Sequence, residues 1–166
     1  MNEPGEFQRL QPALLDRLTD NAPDKLEESR KERIIDENRL RGIVQRDLSW
    51  LLNTRNYETL IEDDSCPNVK KSVVNFGVRG IAGEIATTDR AEEIRKTIHE
   101  AIIRFEPRID PKTLEVTSSI TESGSQAVIS YDIRADLWAQ PLPLELYLRS
   151  EVNIATGELK LNQGRR

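Results

Sequence analysis

The sequence predicts an α+β domain, with N-terminal helices packed on one face of a small antiparallel sheet. Three observations carry that expectation. Between residues 38 and 105 apolar side chains recur at the three- and four-residue spacing of a helical face; beyond Pro107 they alternate with polar ones, as in half-buried strands; and turns rich in Gly, Pro and Ser separate the alternating segments. Helices first and strands after them suit a meander covered on one side.

Residues 1–37 are expected to form an N-terminal arm or linker, partly flexible, ahead of one domain over residues 38–166. The arm holds a short apolar patch, Leu10, Leu14, Leu15 and Leu18, followed by a charge-dense stretch from Asn21 to Arg33. The leucines, at helical spacing, suit docking on the domain or on a partner. From Asn38 to Asn53, the residues Leu40, Ile43, Val44, Leu48, Leu51 and Leu52 trace one helical stripe, with Trp50 at its edge and read as core.

A polar loop around Cys66 leads to Val69–Asn75, expected as a short helix stopped by Gly77 as its C-terminal cap. Asp89 and Glu92 have the spacing of a capping box, and Ile94, Ile98, Ala101, Ile102 and Phe105 form the stripe of a second long helix ending near Pro107. Strands follow at Leu114–Ile120, Ala127–Leu137, Leu144–Leu148 and Glu158–Leu161. They are divided by Glu122-Ser-Gly-Ser, by Gln140-Pro-Leu-Pro and by Ala155-Thr-Gly, the last with Gly157 at a positive φ. Pro141 and Pro143 obstruct pairing at the start of the third strand, so a partner strand is expected further along it or on the opposite edge, beside Leu114–Ile120.

Composition narrows the function. The net charge is −5 with both signs interspersed, which leaves no basic stripe for nucleic acid. One cysteine, Cys66, and one histidine, His99, supply neither a disulfide nor a zinc cluster, so no metal or cofactor is expected. No apolar run approaches the length needed to span a bilayer, and the expectation is a soluble, cytoplasmic protein. The acidic pairs Asp63-Asp64 and Glu92-Glu93 read as solvated surface. Gly77-Val-Arg-Gly-Ile-Ala-Gly lacks the lysine of a phosphate loop. No catalytic residue is assigned, and the chain is read as a non-enzyme.

Three segments resemble a known family. Arg46 to Arg55, Arg-Asp-Leu-Ser-Trp-Leu-Leu-Asn-Thr-Arg, matches the RDLxWLLNTR stretch of TssE-type baseplate subunits; Ser72-Val-Val-Asn-Phe-Gly is similar to their SVLNYG; and Phe105-Glu-Pro-Arg-Ile is similar to their FEPRL. The order is also the family's, and Leu14-Leu-Asp-Arg-Leu matches its N-terminal LLDRL. The resemblance implies a structural subunit, related to phage contractile-tail wedge proteins with a historical lysozyme label. Such a subunit sits in the baseplate of a type VI secretion system near the inner membrane and starts polymerisation of the contractile sheath. It implies as partners the wedge proteins TssF, TssG and TssK and the sheath proteins TssB and TssC, with no nucleic acid and no membrane insertion.

Within these segments Arg46, Asp47 and Arg55 lie off the core stripe, and Glu106 and Arg108 flank the break at Pro107. An arginine there bonds helix-end carbonyls or a carboxylate, inside the chain or across an interface. The resemblance favours Glu106, Pro107, Arg108, Arg46, Asp47 and Arg55 as partner-binding residues. The alternative reading is a regulatory anti-adapter that binds a response regulator. Peptidoglycan hydrolysis comes third, since it would require two carboxylates facing across a cleft.

Overall fold

The computed structural model describes residues 13–19, 23–24, 36–61, 68–80, 87–123, 126–138, 143–153 and 156–164. Leu10, Asp63-Asp64, Cys66, Gly83, the turn residues Gly124 and Ser125, Gln140 to Leu142, and Ala155 lie outside them, as does most of the charged stretch after Asn21. Three helices, α1 (Leu14–Leu18), α2 (Glu37–Asn53) and α3 (Thr88–Phe105), precede four strands, β1 (Glu115–Ser123), β2 (Gln126–Leu137), β3 (Leu144–Val152) and β4 (Leu159–Gln163). The strands form one antiparallel sheet in the order β1-β2-β3-β4, the expected meander.

The Asp36 carboxylate caps α2, accepting the Arg39 N–H at 2.7 Å. The helix buries Leu40, Ile43, Val44, Leu48, Leu51 and Leu52, the stripe read from spacing. Trp50 departs from expectation: it is 50% exposed. The Arg46 guanidinium lies 4.9 Å over its ring, so a cation rather than the core covers that face. At the start of α3 the cap is Thr87, whose hydroxyl accepts the Arg90 N–H at 3.2 Å, and not Asp89. Glu92 is drawn instead into a forked pair with Arg95 at 2.7 and 2.8 Å.

Between the long helices the chain departs most from the sequence reading. Val69–Asn75 is two short 3-10 turns, Val69–Lys71 and Val73–Asn75, broken at Ser72. The cause is tertiary: the buried Asn75 amide donates to the Lys70 carbonyl at 3.1 Å and accepts the Tyr57 N–H at 2.9 Å, tying three separate stretches together. Gly77 also has a different task. Its φ of 120° is not that of a left-handed helix cap, and a Cβ there would lie 2.2 Å from the Thr54 carbonyl oxygen. Close approach demands glycine, because the Val78 N–H reaches Thr54 O at 2.8 Å and the Asn56 N–H reaches Val78 O at 2.9 Å.

The sheet buries one face under the helices. Ile129, Tyr131, Ile133, Ala135 and Leu137 of β2 align with Val152, Ser150, Leu148, Leu146 and Leu144 of β3, and all ten are buried. The opposite face is polar: Asp132 accepts a forked pair from Arg149 at 2.9 and 3.2 Å, and Arg134 stacks 4.9 Å over Tyr147. Tyr131 pins α3 to the sheet by donating its hydroxyl to Ala91 O at 3.1 Å, and burial pushes its phenol well above the usual range. Tyr131→Phe is expected to cost about 1 kcal/mol in urea unfolding, the usual net value of one hydrogen bond. A loss below a few tenths would mean that the bond does not hold α3.

The strand that starts at Leu144 is not a sheet edge. β3 is internal: its first residues pair with β2, and on their other side Arg41 Nε donates to Glu145 O at 3.1 Å and the Gly164 N–H to Tyr147 O at 3.1 Å. The two edges are therefore β1 and β4.

Candidate functional site

The corner where α3 gives way to β1 follows from Pro107, which cannot continue the helix. Glu106 closes α3 with its N–H bonded to Ile102 O at 2.9 Å, and its side chain is only 4% exposed. A carboxylate buried to that extent needs cationic partners. Arg108 supplies one: its Nε donates to Glu106 Oε1 at 2.6 Å, its Nη2 donates to Glu106 Oε2, and its own N–H reaches Oε1 at 3.1 Å.

The same Nη2 donates to Asp47 Oδ2 at 2.6 Å. The other oxygen of Asp47 accepts Arg46 Nε and Nη2 at 3.0 and 2.7 Å, and Arg46 forks onto Asp16 at 2.6 and 3.1 Å. The result is a relay of alternating charge, Glu106, Arg108, Asp47, Arg46, Asp16, running from the α3–β1 corner across α2 to α1. Burial works against the Arg108 cation, but the hydrogen bonds of Glu106 and Asp47 outweigh it and hold its pKa above the ordinary value. Arg46 is raised too, chiefly by Asp16.

Four of the six expected residues, Glu106, Arg108, Asp47 and Arg46, thus meet inside the chain. Pro107 is exposed at the break. Arg55 stands apart: its backbone forms a parallel bridge with Val78, its side chain lies over Gly80, and among the described residues no carboxylate reaches it. Sequence reading missed Asp16 as a member of the site, although it sits in the quoted Leu14–Leu18 segment. Its partner lies thirty positions away and no periodicity links them.

The Arg46 guanidinium holds the Asp16 carboxyl below the usual aspartate range. A carboxylate depressed in the folded state stabilises above its unfolded pKa, about 3.9, and that contribution is lost as pH falls through the lower folded value. Among the described residues the Asp16–Arg46 fork is the one ion pair that ties α1 to the domain. Acidification from pH 5 to below pH 3 is therefore expected to lower the amide-exchange protection of Arg17 and Thr19, measured against the intrinsic rate at each pH, before that of α2. Simultaneous loss in both helices would show that α1 is not held by this pair.

Two amide side chains of α2 act on the sheet. Bonds from Asn153 N–H to Glu158 O and from Gly164 N–H to Tyr147 O frame the β3–β4 ladder and place Lys160 and Asn162 toward β3. The main chain of Leu159 and Leu161 consequently faces outward. Asn53 takes both groups of Leu159, donating to its oxygen at 2.8 Å and accepting its N–H at 2.9 Å, while Gln45 Nε2 donates to Leu161 O at 2.9 Å. Asn53 thus stands where a neighbouring strand would, and the β4 edge is occupied by the protein's own helix.

The β1 edge differs. Asp136 exchanges bonds with Asp110 and Thr113 on the β1 side, which turns Glu115 and Thr117 toward β2 and Val116, Ser118 and Ile120 outward. Arg95 Nη1 covers Val116 O at 3.3 Å, and beyond it Ser118 and Ile120 are exposed with no strand beside them among the described residues.

His99 is half-buried on α3, and the Glu92-Glu93 pair is bound by arginines. Among the described residues no group of three or more His, Cys, Asp or Glu is placed to hold a metal. No helix among them is long and apolar enough to cross a membrane.

These features define an α+β domain whose three helices are joined by an ion relay and whose meander has β4 bonded to α2 and, among the described residues, no strand beside β1. A family model described as baseplate wedge protein gp25 matches residues 38–142, from α2 through β2, and the chain belongs to that family. Among curated proteins no relative matches. A chain of a solved structure described as "The baseplate complex from the type VI secretion system" is similar over 70% of this chain and 97% of that one, at 15% identity and a TM-score of 0.42. Membership rests on the family match and not on this distant likeness.

Proposed function

We propose that this chain is a structural, non-enzymatic component of a type VI secretion baseplate that docks on wedge proteins and starts the contractile sheath by accepting a sheath strand on β1. Membership of the wedge family supports the baseplate, and the segments Arg46–Arg55, Ser72–Gly77 and Phe105–Ile109 point to its type VI branch. The observation that carries the strand-accepting role is the asymmetry of the sheet. Asn53 and Gln45 take both outward groups of Leu159 and the Leu161 carbonyl on β4, whereas among the described residues no strand pairs with the outward main-chain groups of Ser118 and Ile120, which suits extension of the ladder by β-augmentation.

In this reading TssF, TssG and TssK are the wedge partners, TssB and TssC the sheath partners, and the protein works at the cytoplasmic side of the inner membrane. Arg46, Asp47, Glu106 and Arg108 hold the α1–α2–α3 corner in the shape that the wedge contacts, with Pro107 exposed at that corner and Arg55 exposed beside Val78 and Gly80. Deleting the gene is expected to leave wedge complexes of TssF and TssG intact and to abolish sheath foci in cells expressing fluorescent TssB. Undiminished sheath number in the deletion strain would refute the role. The purified chain is expected not to clear peptidoglycan, and clearing that one carboxylate substitution abolishes would establish an enzyme instead.

A further inference from the structure

Apart from the ion relay and the open edge, the connection between α2 and α3 displays a built surface. Tyr57, Leu60, Val73 and Val74 are 62%, 76%, 79% and 71% exposed, an unusual outlay of large apolar side chains for so short a stretch. They are presented rigidly. The Tyr57 N–H bonds the buried Asn75 side chain, the Leu60 N–H bonds Tyr57 O at 2.8 Å, and Val73 and Val74 sit on the turn that Asn75 completes.

Arg55 stands at the border of this patch. Its backbone is fixed to Val78, and its side chain is seated on Gly80, where a Cβ would come within 3.1 Å of Nε. Arginines 46, 79, 95, 108 and 149 each reach a carboxylate. Among the described residues none reaches Arg55, although an arginine fork is suited to receive one.

We propose that Arg55, Tyr57, Leu60, Val73 and Val74 form a docking surface for a segment of a baseplate wedge partner that carries a carboxylate beside apolar anchors. Charge selects that occupant: an apolar pad bordered by a guanidinium that no described carboxylate reaches, with Lys71 exposed on the adjoining turn, matches an acidic amphipathic segment and repels a basic one. The surface is separate from the β1 edge, so wedge docking and strand acceptance can proceed together. This inference rests on the baseplate reading.

The test uses the full chain and a purified TssF–TssG complex as the probe, with affinity measured by calorimetry. Arg55→Glu and Val74→Asp are each expected to weaken binding at least tenfold with unchanged melting temperature, and Arg55→Lys to weaken it less. Ser118→Pro is expected to bind as the wild type. A photo-crosslinker at position 74 is expected to capture a partner peptide containing Asp or Glu next to apolar residues. Wild-type affinity in both Arg55→Glu and Val74→Asp, or capture of a basic peptide, overturns the docking surface while leaving the baseplate reading intact. Failure of the wild-type chain to bind at all overturns both. Concentration-dependent dimers of the free chain that Arg55→Glu dissolves would assign the patch to a second copy and overturn the proposal.

Discussion

Arg108→Ala is expected to destabilise the isolated domain by about 3 kcal/mol, the low end of the cost of breaking a buried ion pair, because Arg108 itself retains some exposure. The cost comes from what the substitution leaves behind. Glu106 stays 4% exposed and keeps only the N–H of residue 108 in place of two guanidinium bonds, while Asp47 loses its link to the corner. For a chain of this size the change corresponds to roughly 6–12 °C in melting temperature. Adding Glu106→Gln to Arg108→Ala is expected to recover part of the loss, since the stranded charge is then gone. A loss below about 0.5 kcal/mol, the range of ordinary surface changes, would mean that the relay is ornamental and that Arg108 serves only an interface.

The same relay shows how far the sequence could be read. Periodicity delivered α2, α3 and the meander, and turn residues the hairpin at Gly157, whose φ is 75°, because each is decided by neighbours a few residues apart. The family resemblance, and not periodicity, singled out Glu106, Pro107, Arg108, Arg46, Asp47 and Arg55; the sequence itself shows only a helix-breaking proline and charged residues off the core stripe. It could not say whether these residues pair with each other, because Asp47 and Arg108 are 61 positions apart and Asp16 and Arg46 are 30.

Tertiary contacts explain the departures as well. Asn75 divides an expected helix into two turns by bonding Tyr57 and Lys70, Arg46 holds Trp50 at the surface, and Arg95 claims Glu92 from an apparent capping box. The sealing of β4 was equally hidden. Asn53 looks like ordinary helix-end chemistry, and it does bond Ser49 O at 2.8 Å. Only the fold brings Leu159 within its reach.

That sealing leads to the account's central claim, that the sheath strand is added at β1. Ser118 is exposed and its main chain faces away from β2, so proline there removes no ladder bond but deletes an outward donor and places a ring in the path of an incoming strand. The direct measurement is the number of fluorescent sheaths per cell in a strain whose only copy carries Ser118→Pro, after circular dichroism has confirmed that the variant folds. The account predicts that the variant still joins TssF–TssG wedges and that sheaths are absent. Sheaths of normal number and length growing from the folded variant would contradict it.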